Sequence, residues 1–225
     1  MGERVTFPAN GRSASGYLAL PAGSGPAVIV IHEWWGLKTH MESVADRFAA
    51  EGFVALAPDM YNGRTAATPE EAEALMMGMK LDEVAENLSG AVRYLQQHPK
   101  TVGKKVGSVG FCLGGALALY GASHDADVGA CVTFYGAVPH IQPDLAALQA
   151  PVLGLWAEQD HYITADIVEE LDKQLTKHGK RHEFHTYPVQ HAFFNDTRPT
   201  MYDAAAAADA WTKTLSFLRK ELKTT

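Results

Sequence analysis

The chain has 225 residues, with 19 Lys and Arg against 26 Asp and Glu and a formal net charge of −7. That balance, with no basic run, argues against a nucleic-acid partner. The two cysteines, Cys112 and Cys131, rule out a disulfide framework. No stretch approaches the roughly 20 apolar residues that cross a bilayer, and Met1–Val5 lacks the apolar core of a secretory signal. The expectation is a cytoplasmic protein without a membrane partner, one domain over residues 1–225, burying about 70% of its unfolded surface without staples.

Elements alternate along the chain. Residues 4–8 and 15–20 read as strands joined by the turn signal Asn10-Gly11. A loop at Ala22–Pro26 precedes Ala27–Ile31, a continuous apolar run of the kind buried on both sheet faces. That run empties into His32-Glu33-Trp34-Trp35-Gly36-Leu37. A zinc H-E-x-x-H motif would need histidine where Gly36 stands, so no metal site is expected there. An amphipathic helix over 39–51 stops at Gly52, and Phe53–Ala57 is a strand. Helices follow over 69–79, with Pro69 in the first turn, and over 81–98.

Lys105–Val109 is a short β-type run, and Ala116–Tyr120 is good helix material. Between them stands Gly110-Phe111-Cys112-Leu113-Gly114, then Gly115. A strand turning sharply into a helix at such a pattern is the nucleophile elbow of the α/β-hydrolase fold, here with Cys in the place of Ser. The flanking glycines suit a tight, strained turn, and a thiolate is favoured at the positive end of a helix. A glycine-flanked cysteine alone is more often a structural thiol, so the assignment leans on the rest of the chain.

Val128–Tyr135 is the next strand and holds Cys131 as a core thiol. Pro151–Trp156 is a buried strand whose following loop contains Asp160. After a helix over 164–178 and the strand Arg181–Tyr187 comes a loop with His191, then a C-terminal helix over 199–221. The order nucleophile, acid, histidine is that of this fold, and ligands of open α/β sheets bind at the carboxyl ends of strands. Cys112, Asp160 and His191 therefore form the candidate triad, with His191 moving the proton and Asp160 orienting the ring. Backbone N–H groups of Trp34 and Leu113 are the candidate oxyanion donors. The fold class is α/β, an α/β-hydrolase fold. The expected sheet is mostly parallel and twisted, with helices on both faces and a short antiparallel N-terminal hairpin.

These residues resemble the dienelactone hydrolase (carboxymethylenebutenolidase) family. The matching positions are His32, Glu33 and Gly36; Ala57-Pro58-Asp59-Met60-Tyr61; Val109 to Gly115; Phe134-Tyr135-Gly136; Asp160; and His191-Ala192-Phe193. The likeness spans about residues 5–220. It implies a Cys112–His191–Asp160 triad that cleaves an ester or lactone through a thioester acyl-enzyme. It also implies a gating role for Glu33, which would hold the resting thiol away from the histidine. One departure stands out. The family's namesake enzymes grip a substrate carboxylate with two arginines, one of them four residues past the histidine, where this chain has Asn195. The other would lie in Thr68–Lys80, which holds no arginine, although Arg64 and Arg198 are near in sequence. Asparagine cannot replace the charge of an arginine fork, which weighs against dienelactone and toward a neutral or bulkier ester.

The pocket candidates are Trp35, Tyr61, Tyr135, Phe193, Phe194 and Asn195, with Trp34. Met76, Met77 and Met79 either join them or pack a helix core. The expected partner is a small-molecule ester or lactone, with no metal or organic cofactor, in a monomer or weak homodimer. Two other readings stay open: an acyltransferase or activated-phosphoester hydrolase using the same thiol, and a ligand-binding module without catalysis.

Overall fold

The computed structural model describes residues 2–222. Strands β1 (Glu3–Ala9) and β2 (Arg12–Ala19) form the leading hairpin. Asn10 and Gly11 both take positive φ, 45° and 77°, as a two-residue hairpin turn of right-handed twist requires. Pairing therefore starts at Ala9 against Arg12, three residues earlier than the sequence pattern suggested, because the exposed positions next to the turn carry no apolar signal.

Then follow β3 (Gly25–Ile31), α1 (Thr39–Ala50), β4 (Val54–Pro58), α2 (Pro69–Met77), α3 (Leu81–Gln97), β5 (Thr101–Phe111), α4 (Leu113–His124), β6 (Val128–Phe134), β7 (Val152–Ala157), α5 (Ala165–Lys177), β8 (His182–Tyr187) and α6 (Ala204–Glu221). The eight strands form one sheet in the order β1-β2-β4-β3-β5-β6-β7-β8. β2 meets β4 antiparallel, and every pairing from β4 to β8 is parallel. This is the mixed sheet expected, with the hairpin at its edge.

Apolar runs on both faces explain the layering. Leu88, Leu95, Leu117 and Leu119 of α3 and α4 pack on one face with Ile29, Ile31 and Leu56. Val44, Phe48, Leu215 and Leu218 of α1 and α6 pack on the other with Val28, Val30 and Phe134. Each such fully buried side chain contributes roughly 1.5–3 kcal/mol relative to exposure. α2 and α5 are different: each has one fully buried residue, Ala72 and Leu175. No helix among the described residues is long and apolar enough to cross a membrane.

Several boundaries shift for local reasons. β5 begins at Thr101 rather than Lys105; its first residues are largely exposed and reach Gly25 across a register irregularity. α4 begins at Leu113, directly after Cys112, rather than at Ala116. α2 ends at Met77, with Gly78 as its cap. α6 begins at Ala204 rather than 199, because the Asp203 carboxylate accepts the Ala206 N–H at 2.8 Å and closes the first turn. Asp203→Ala should cost about 1 kcal/mol, read as a lower urea midpoint at unchanged slope. An unchanged midpoint would mean that the turn at 199–203 holds the helix end without the cap.

Candidate active site

Because β3 and β5–β8 are parallel, their carboxyl ends share one edge. The loops leaving that edge bring Glu33, Cys112, Tyr135, Asp160 and His191 together from distant parts of the chain.

Cys112 sits between β5 and α4 at φ 54°, ψ −121°, a region that residues with a Cβ avoid. Two close approaches hold it there. A Cβ on Gly110 would overlap the Gly114 carbonyl, and one on Gly114 would overlap the carbonyls of Ile31 and His32. The Cys112 N–H donates to the Phe134 carbonyl at 3.0 Å, and its own carbonyl accepts from the Gly115 N–H at 2.9 Å. Below the turn, Phe111, Phe134 and Phe194 pack with ring centroids 4.5–5.1 Å apart. The thiol is thus placed at the first turn of α4, where backbone N–H groups have no internal acceptor.

The His191 ring is held by Asp160, Nδ1 to Oδ2 at 2.6 Å. The other carboxylate oxygen accepts the N–H groups of Tyr162 (2.8 Å) and Ile163 (3.0 Å). Asp160 therefore has both oxygens engaged and its side chain fully buried. Tyr135 and Tyr162 flank the ring at 4.9 and 5.3 Å. Burial opposes charge on His191, but hydrogen bonding to Asp160 and Cys112, together with their charges, outweighs it and raises the ring to about 10. The three triad candidates are brought together.

Glu33 is buried. Its Oε2 accepts from Asn195 Nδ2 at 2.7 Å, while Oε1 has no hydrogen-bond partner among the described residues. The Asn195 amide is oriented by its other end, where Oδ1 accepts the Thr197 N–H (3.0 Å) and hydroxyl (2.6 Å). Burial pushes the Glu33 carboxyl up, against the Asn195 hydrogen bond and the positive charges of His191 and Arg198. His32 has a supporting place: Nδ1 meets the Glu33 carbonyl at 2.6 Å and Nε2 accepts the Met60 N–H at 3.1 Å. Asp59 ties the same loop through the N–H groups of Tyr61 and Gly63.

A cavity of about 470 Å³ opens over Cys112 and His191, with Trp34, Trp35, Met76 and Tyr135 in its walls. The Trp34 N–H donates to no protein acceptor among the described residues, and Leu113 is the first residue of α4. Three aromatic expectations are corrected: Tyr61, Phe193 and Phe194 do not line this cavity. Tyr61 packs on His32 at 5.0 Å, and both phenylalanines are buried in the core below the elbow, since the sharp turn after His191 directs them into the sheet. Asn195 lies instead in an adjoining chamber of about 340 Å³ with Lys38 and His40. Met77 is exposed and Met79 packs on the core. Arg64 points to its own loop, its Nε 3.4 Å from the Tyr61 carbonyl. Arg198 is shared by both chambers and lies over the Trp35 ring at 5.5 Å.

Sequence reasoning missed Val138, Pro139, Tyr162, Ile163 and Met201 as wall residues. A usable signal existed for four of them. Tyr162 and Ile163 closely follow Asp160, and Val138 and Pro139 follow β6, all in loops leaving the functional edge.

Comparison with known proteins gives the family and the fold. The family model described as the dienelactone hydrolase family matches residues 14–222. The chain is 40% identical over 230 residues to the protein named usf of Aquifex pyrophilus, covering 99% of this chain and 100% of that one. It is 37% identical to a provisionally named carboxymethylenebutenolidase of Aquifex aeolicus, at 99% and 100% coverage. A crystal structure provisionally assigned as a dienelactone hydrolase of Klebsiella pneumoniae superposes with TM-score 0.89 at 27% identity, covering 98% of each chain. The fold is the α/β-hydrolase fold, and the chain belongs to the dienelactone hydrolase family, whose members are hydrolases of esters and lactones.

Proposed function

We propose that this protein hydrolyses a carboxylic ester or lactone through a thioester on Cys112. The observation that carries the reading is the His191 ring, hydrogen-bonded to a buried Asp160 on one side and facing the same cavity as Cys112 on the other. In the resting pair His191 already holds the proton shared with the Cys112 sulfur, and the sulfur attacks the acyl carbonyl carbon. The carbonyl oxygen takes up the negative charge beside the N–H groups of Leu113 and Trp34. As the C–O bond to the leaving group breaks, His191 returns its proton to the departing alkoxide. Water then gives a proton to His191 and attacks the thioester; the acid leaves and the thiol is restored. Asp160 keeps the ring in one tautomer and stabilises its charged form.

Glu33 fits the role of gate. Ionised, its free Oε1 is a second acceptor for the thiol, in competition with His191; protonated, the form burial favours, Oε1 carries the proton and leaves the thiol to the ring. A thiol divided between the two acceptors is reactive only when directed to the ring. The walls of Trp34, Trp35 and Met76 suit an apolar acyl part.

Cys112→Ala should abolish turnover of a small aryl ester, whereas Cys131→Ala should retain it. Cys131 is buried in β6, and burial pushes its thiol up to about 12, so it is a poor nucleophile at neutral pH. Equal activity in the two variants would overturn the nucleophile assignment. Glu33→Gln should change the rate at which iodoacetamide labels Cys112; an identical rate would remove Glu33 from the mechanism.

A pH prediction follows from His191. Its folded pKa is raised, so the charged ring is preferentially stabilised in the folded chain. The contribution to stability is full below about 6.5 and is lost as pH rises toward about 10. Imidazole NMR should find His191 still protonated at pH 8, with Asp160→Asn bringing its titration down. A ring already neutral at pH 7 would contradict the assigned pairing.

A further inference from the structure

A second and larger cavity, about 690 Å³, lies between α5 and the segment that follows β6. Its apolar walls come from Ala116 and Leu119 of α4, from Val138 and Ile141, and from Ile167 and Leu171 of α5. The chamber lies against a helix whose inner face is thinly covered: α5 buries Leu175 fully, while Ile167 and Leu171 are half-buried.

Three segments contribute to both the reaction cavity and this chamber. Val138 and Pro139 belong to both. Along α4, Cys112 and Leu113 line the first cavity, and Ala116 and Leu119 the second; at a 1.5 Å rise per residue, Cys112 to Leu119 spans about 10 Å. After Asp160, Tyr162 and Ile163 line the first, and Asp166 and Ile167 the second. The shared residues Val138 and Pro139 mark where an acyl group on the Cys112 sulfur would pass from one cavity to the other.

The lining of the chamber is acidic on balance. Asp144, Asp166 and Glu170 line it beside His178, and no Lys or Arg does, Lys173 standing near Asp166 and Glu170 on the same helix. Asp144 accepts the N–H groups of Ala146 and Ala147, and Glu170 accepts from the Gln174 amide. None of the three forms an ion pair among the described residues. A chain ending in a carboxylate would meet like charge here, whereas a neutral end would not.

We infer that this chamber is an acyl-chain subsite, and that the enzyme takes esters of medium-length, uncharged aliphatic acids whose chain passes Val138 and lies against Leu119 and Leu171. The inference rests on the Cys112 hydrolase reading, and the test separates the two. Each added methylene entering an apolar pocket raises kcat/KM, so p-nitrophenyl octanoate should exceed the acetate by at least about tenfold. The p-nitrophenyl monoester of suberic acid, of equal length with a carboxylate end, should lose most of that gain. Leu171→Trp and, independently, Ile167→Trp fill the chamber and should lower the octanoate-to-acetate ratio about tenfold, with circular dichroism reporting the fold. Acetate turnover with no gain for octanoate in the wild type, or an unchanged ratio in both folded variants, overturns the subsite and leaves the hydrolase reading standing. An unchanged ratio joined to dissociation of a dimer in Leu171→Trp overturns it too and assigns the face to a second copy. Turnover of none of these esters overturns both.

Discussion

The arrangement depends on one strained residue. Cys112 is held at positive φ where β5 becomes α4, in a conformation that costs about 1–3 kcal/mol. It persists because its surroundings leave no alternative: the Gly110 and Gly114 approaches, the Phe134 carbonyl on its N–H, and the packed phenylalanines beneath. Three more non-glycine residues at the same edge share the left-handed region, Asn62 at φ 53°, Tyr135 at φ 40° and Ala192 at φ 62°. Each adjoins or belongs to a functional loop. Strain gathers where the side chains must converge, and the buried parallel strands supply the stability that tolerates it.

Around the thiol the protein builds an uneven polar shell. Asp160 is fully satisfied, with both oxygens engaged, so it serves as a fixed charge. Glu33 is half satisfied, one oxygen fixed by Asn195 and the other free. An unpartnered buried oxygen is costly, and one beside a nucleophile is a place for a proton or a ligand atom to go. Asn195 gives Glu33 a neutral partner, whereas an arginine there would hold it ionised. Asparagine at position 195 thus bears on the protonation of Glu33, the gate in the proposed mechanism, as well as on substrate charge.

Much of this was legible in the sequence, and what was hidden has physical causes. The continuous apolar runs Ala27–Ile31 and Pro151–Trp156 marked central parallel strands, and the glycine pattern around Cys112 marked the turn. Strand order put Asp160 and His191 at the functional edge before any coordinates. Other features left no local signal. The first residues of β5 pair as a strand while exposed, so no periodicity announces them. The destinations of Phe193 and Phe194 depend on the backbone reversal at Ala192, which composition does not reveal. The segment 137–148 has no regular element, and the chamber it encloses with α5 emerges from tertiary packing alone.

The central claim is a covalent bond between the acyl group and one sulfur atom. The most direct test is acid quenching of the enzyme within milliseconds of mixing with an activated ester, followed by intact-mass analysis and peptide mapping. The account predicts one added acyl mass, located on Cys112, sensitive to hydroxylamine at neutral pH as a thioester is, and decaying at the rate of turnover. Steady turnover with no acylated species, or an acyl group mapped to another residue, would contradict it.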